Sequence, residues 1–422
     1  MKNAKIFIII AAIAALFTVS VPSFAAKVDE DLKAAAKIVA KGDAAKSSEE
    51  KNEYYKDAVG KYGKIMRAHK KSVAGLEAKF ALSEVYEKYT GDKNHLQRSY
   101  DNYKQIENLY YGVSDAQLKE TFSDDEVARV RKIVSETEKR KAAVAVKIDE
   151  KNRGNILYRI MDTFVQLTGA KPAFSYWFAI VLVTVFVKIV ISPLTKAQFK
   201  TMKQMQEISP LLKEVQKKYE GDQQAIGEKT MELYKKYNIN PFASCLPILI
   251  QMPILWVLYY MIKCYEMQFE KGTFLWIGSA MSHASGFLAP MMEGTRVWFS
   301  AKNLAEPDLI LVVLYLISMY VSTKMSAVDP TQADQQKMMS VLMPIMFAFI
   351  FIGFPAAFLL YWLIFNVLNT VQQYYIINGG TKIDPKSAEA AAVINAPLEG
   401  DKDKGENKKD GKNKNGKNGK KK

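Results

Sequence analysis

Hydropathy divides this chain into charged, polar flanks and an apolar middle, with the long apolar runs confined to residues 174–377. The first of them, FSYWFAIVLVTVFVKIVISPLTK at 174–196, is long enough to cross a bilayer as a helix at about 1.5 Å per residue. Lys188 interrupts it. A lysine near the centre of a membrane helix costs roughly 2.5–3.5 kcal/mol on insertion scales, and it usually faces protein or a wet cavity. Thr184, one turn earlier, lies on the same face. The two form either an inward polar stripe or a snorkelling lysine with a neighbour, since Lys196 is about two turns further on.

Four more spans are expected after a first at about 174–194, namely 242–262, 308–322, 338–353 and 356–376. The second carries Pro247 and Pro253 with Gln251 between them, and membrane helices tolerate prolines where neighbours re-satisfy the freed carbonyls. The last two form a tight hairpin around Gly353-Phe354-Pro355. The loop 195–240 carries nine lysines and reads as two helices turning at Gly221-Asp222. Pro210 is expected to kink or end part of the first of these helices. Met202, Met205, Leu211 and Leu212 give the loop an adaptable apolar face. Its positive charge places it in the cytoplasm. The connection 262–307 has four cations and several aromatics (Phe274, Trp276, Phe287, Trp298, Phe299), as an outer interface would. Within it, residues 278–295 read as an insertion.

The flanks have their own patterns. Residues 1–25 carry a basic start, a short apolar core and small residues near Ala25, the parts of an export signal that is either cleaved or kept as an anchor. Residues 26–150 repeat helical apolar stripes (Tyr55, Ala58, Tyr62, Ile65; Leu76, Phe80, Leu82, Val85, Tyr86; Tyr100, Tyr103, Ile106, Leu109, Tyr110). They predict an exported α-helical domain, weakly tetratricopeptide-like, in which the aromatics form helix core or a binding groove. Residues 151–172 predict an amphipathic helix in the outer interface. The tail, 379–422, ends KDKGENKKDGKNKNGKNGKKK and has no apolar residue after Leu398, so it is not expected to fold alone.

Composition adds direction. Among 422 residues, 59 Lys+Arg against 44 Asp+Glu give a net charge of +15, which points to an anionic partner, either lipid head groups or RNA. Two cysteines suggest no disulfide framework, and three histidines show no metal-site spacing. No phosphate loop, nucleophile elbow or HExxH motif occurs, so neither an enzyme nor a cofactor is expected.

Three stretches in order, SPLTKAQFKTMKQM, NPFASCLPILIQMPILWVLYYM and DQQKMMSVLMPIMFAFIFIGFPAAFLLYWLIFNVLNTVQQYY, resemble the bacterial branch of the YidC/Oxa/Alb membrane-protein insertase family, from about residue 177 to 377. The resemblance implies an all-α, five-helix core at 173–378 in a bacterial inner membrane, with a cytoplasmic helical hairpin at 195–240. It also implies a hydrophilic groove open to the cytoplasm and lipid. Lys188 stands where the family usually has arginine, which keeps the charge and loses the planar fork. Thr184, Gln251 and Tyr361 match groove positions; Trp362 replaces a more common tyrosine, and Asn366 extends the polar lining or bonds between helices, as does Asn369. The implied function is insertion of hydrophobic segments without a cofactor, alone or beside the Sec translocon. The implied partners are nascent membrane proteins, membrane lipids and a ribosome met through the hairpin and basic tail, with no DNA. With residues 26–173 outside, five spans leave the C-terminus in the cytoplasm. The alternative is a solute transporter or channel with an extracytoplasmic helical domain.

Overall fold

The computed structural model describes residues 27–110, 112–240, 246–278, 288–292, 295–297, 300–325, 333–379 and 388–396. The export signal and the lysine run beyond 396 lie outside the described residues. The chain forms two compact units, one from Met1–Thr163 with Cys264–Pro307, the other from Phe164–Lys263 with Asp308–Lys422.

The first unit is a row of antiparallel helices: α1 (27–44), α2 (Ser48–Ala68), α3 (Val73–Lys88), α4 (His95–Tyr110), the short α5 (Asp115–Lys119) and α6 (Asp124–Asn152). Serines start them. Ser47 and Ser72 accept from backbone amides of the first turn, and Ser114 and Ser123 close capping boxes with Gln117 and Glu126. The stripe Tyr55, Ala58, Tyr62 and Ile65 packs against Ala78, Leu82, Val85 and Tyr86. Tyr100 and Tyr103 pack with Val144 and Ile148. Leu109, expected on the same stripe, is exposed, because Ile106 and not Leu109 meets Val127 and Val130. The α2–α3 turn depends on Gly75, where a Cβ would lie 1.9 Å from the His69 carbonyl oxygen.

The connection Cys264–Pro307 belongs to this unit. Its short helix α11 (Glu266–Phe269) packs on α6, and it holds the hairpin β1 (Leu288–Met292) and β2 (Thr295–Val297), a small antiparallel addition to a helical fold. Tyr100 donates to Glu270, and one turn on Lys104 reaches Glu306 at 3.1 Å and Glu266 at 3.8 Å. Burial alone would lower the Lys104 pKa, but the carboxylates of Glu306, Glu266 and Glu270 outweigh it and hold the pKa above its ordinary value.

Helix α7 (Ile156–Leu167) buries Tyr158, Met161 and Val165 and exposes Ile156, Ile160 and Leu167. Asp162 accepts a 2.8 Å hydrogen bond from Tyr265.

The second unit is built on α8 (Ser175–Lys218), 44 residues in one helix, about 66 Å at the usual rise. The break expected near Pro210 does not occur, and both Pro193 and Pro210 lie inside the helix. Proline in a helix interior costs about 3 kcal/mol. Packing offsets this at Pro210, where Ile208, Leu211, Leu212 and Val215 are buried against Leu233 and Tyr234 of α9 (Gln223–Lys236). Gly221, at φ +89°, makes the turn between the two helices, and the Asp222 side chain caps α9. Helices α10 (Leu246–Cys264), α12 (Leu309–Met325), α13 (Ala333–Phe351) and α14 (Ala356–Asn378) follow, and then the short α15 (Ala388–Asn395). α14 packs against α8 and α12, and α12 against α13. Among the described residues α8 is long and apolar enough to span a membrane; α12 and the 341–351 part of α13 are shorter apolar helices. Phe186, Ile189, Trp256, Ile317, Phe349 and Val371 are exposed. So much apolar surface on so many helices suits lipid and not water.

Candidate functional site

Lys188 is 9% exposed and sits between α8 and α14. Its ammonium donates to the Asn369 side-chain oxygen and lies 5.5 Å from the centroid of the Phe365 ring. An amide oxygen and an aromatic face both favour a cation. The side chain turns across to α14. Tyr361, Phe365 and Asn369 recur every fourth residue, so α14 aims all three from one face. The Tyr361 and Phe365 rings stack at 5.8 Å.

Thr184 is fully buried, and its hydroxyl donates to the Ile180 carbonyl, leaving only acceptor capacity. One turn beyond Lys188, Ser192, Thr195 and Gln372 hydrogen-bond with one another across the same helix pair, where Pro193 interrupts the ladder of α8. This polar clamp was not foreseen. Its only trace in the sequence is the polar pair around Pro193 and the fact that Gln372 continues the face of Phe365 and Asn369.

Gln251 and Tyr361 face one another without reaching good hydrogen-bond geometry, and so do Trp362 and Tyr315. Among the described residues, Gln251 Nε2, Tyr361 Oη, Trp362 Nε1 and Asn366 Nδ2 are buried donor atoms that find no hydrogen-bond partner of good geometry. An unmade hydrogen bond at a buried donor costs about 1–3 kcal/mol, so four of them call for a reason. The structure does not put all the expected groups in one place. Lys188 meets Phe365 and Asn369, and Gln251 meets Tyr361. Trp362 instead lies among Tyr315, Phe351 and Phe358 on the neighbouring face of α14, with ring centroids 6.4, 5.7 and 6.3 Å away. Phe365 is the contact that sequence reading missed, although its four-residue spacing from Tyr361 and Asn369 was visible.

Comparison with known proteins places this geometry in context. The profile of the family described as "60Kd inner membrane protein" matches residues 168–383. A protein of Geobacter metallireducens named "Membrane protein insertase YidC" is 34% identical over 240 residues, which are 54% of this chain and 40% of that protein. Proteins of the same name from Shewanella halifaxensis and Haemophilus influenzae are 34% and 36% identical, over 53% and 51% of this chain and 36% of each relative. The chain therefore spans well under half the length of these relatives. A solved structure titled "Active YidC insertase crystal structure with the first transmembrane domain resolved" is similar at a TM-score of 0.37 and 25% identity, covering 52% of this chain and 46% of that one. The matched stretch contains Lys188, Gln251, Tyr361 and Asn369 together with the helices that carry them, and through it this chain belongs to the 60Kd inner membrane protein family.

Proposed function

We propose that this chain is a membrane-protein insertase that receives hydrophobic segments at the Lys188 site and releases them sideways into the lipid of a bacterial inner membrane. The observation that carries the reading is the buried Lys188 ammonium held against Asn369 and Phe365 of α14, on a helix that also carries the buried polar groups of Tyr361, Trp362 and Asn366. Such groups suit the polar flank of a segment in transit, which must leave water before its apolar part can enter lipid. Lys188 attracts acidic residues on that flank. Transfer of the apolar part is favourable by roughly 25 cal/mol per Å2, and the membrane potential adds about 2.3 kcal/mol per charge per 100 mV for acidic flanks. No cofactor or bond-making step enters this scheme.

In this reading the hairpin of α8 and α9 and the C-terminus face the cytoplasm, and residues 26–173 lie outside. The basic tail and hairpin would meet a ribosome, and insertion would proceed alone or with the Sec translocon. The relatives' shared name supports the activity. Photocrosslinkers at Thr184, Gln251 and Tyr361, tested against a stalled membrane-protein nascent chain, provide the check. Adducts are expected from all three, and a folded protein that gives none would overturn the reading.

A further inference from the structure

The end of the described chain is seated on the hairpin. Ile394 of α15 is 5% exposed and lies in the cluster formed by Met205, Leu212, Val215 and Leu233, with Val393 packed at its edge. The end of α8 grips the end of α15. Lys218 Nζ donates to the Ile394 carbonyl at 3.0 Å and to Asn395 Oδ1 at 2.6 Å, and the Tyr219 hydroxyl donates to the same carbonyl at 3.0 Å.

Two features make this contact look borrowed. First, two of its three hydrogen bonds go to a backbone carbonyl at a helix C-terminus, and a lysine there complements the helix dipole. Any short helix with one apolar residue in its last turn offers those groups. Second, α15 has eight residues, below the roughly 12–15 at which an isolated helix persists, so its hold depends on the groove. The methionine in that groove adds an adaptable wall.

We propose that the apolar face between α8 and α9 is a docking groove for a short apolar helix of an incoming nascent chain, and that α15 fills it until displaced. The proposal rests on the insertase reading and extends it to the step before the Lys188 site. The sequence AEAAAVIN, mostly alanine before Val393 and Ile394, is the kind of occupant the groove accepts and yields.

The test uses the full chain in lipid nanodiscs and a labelled Ala/Leu helical peptide as probe. Ile394→Asp, which places a charge in the apolar cluster to eject α15 and alters no residue of the hairpin, should bind the peptide about tenfold more tightly than wild type. Adding Lys218→Gln and Tyr219→Phe to Ile394→Asp should return the affinity toward the wild-type value. In wild type, saturating peptide should speed amide exchange in α15. Equal affinity of wild type and Ile394→Asp, no binding by either, or tight binding that survives loss of Lys218 and Tyr219 would each overturn the proposal. Failure of the insertase reading would appear instead in the crosslinks from Gln251 and Tyr361, which this binding assay does not involve.

Discussion

Replacing Lys188 with methionine keeps the length and apolar stem of the side chain and removes its charge. A substrate carboxylate about 4 Å from the ammonium would gain roughly 4 kcal/mol at an effective dielectric constant near 20. Part of that is returned in desolvating the carboxylate, and hydrogen bonds to charged groups retain about 1.5–3 kcal/mol net. At about 1.4 kcal/mol per factor of ten, the loss is about 10- to 150-fold. The structure restricts it to charged flanks, because among the described residues Lys188 is held by Asn369 and Phe365 and pairs with no carboxylate. The assay is protease protection of a single-span substrate in proteoliposomes, with Asp or Asn in the translocated flank. Lys188→Met should cost the Asp substrate that factor and leave the Asn substrate within about threefold. Lys188→Arg should behave as wild type. Equal losses for both substrates, or failure of the arginine variant, would refute a role for the charge.

Two further perturbations test the surroundings. Asn369→Leu removes the oxygen that fixes the ammonium, and it should lower insertion of the Asp substrate by about tenfold, the low end of a charged hydrogen bond; full activity would show that Phe365 alone positions Lys188. Lys104→Met leaves Glu266 and Glu306 buried without their cation, and it should destabilise the helical unit by about 3–5 kcal/mol, read by thermal unfolding of the full chain. The Lys104 pKa is raised in the folded state. Its contribution is therefore complete below the unfolded value near 10.5 and is lost as pH rises above it. Wild type should lose stability over that alkaline range and Lys104→Met should lose less; parallel profiles would contradict the assignment.

Much of the secondary structure could be read along the chain. The aromatic stripes of α2, α3 and α4 became core, since a helix repeats its face every three to four residues and the apolar side must be covered. Lys188 was conspicuous because a charge inside an apolar run has few places to go. The continuity of α8 was not legible. Proline at position 210 is a local signal for a break, and it was overridden by burial of Leu211, Leu212 and Val215 against α9, a contact between helices. Nor was the membership of the outer connection legible. Residues 264–307 lie between two apolar helices in sequence, but Glu266, Glu270 and Glu306 converge on α4.

Sequence alone determined that this chain has an apolar middle, a basic hairpin and an out-of-place lysine, because each of these depends on neighbours a few residues apart. Tertiary structure decided what that lysine touches. Lys188 and Asn369 are 181 residues apart, and they meet only because α14 packs along α8 with Phe365 and Asn369, on the face they share with Tyr361, turned toward Lys188. Helical periodicity could group those three residues on one face, but only the packing of the two helices could turn that face toward Lys188.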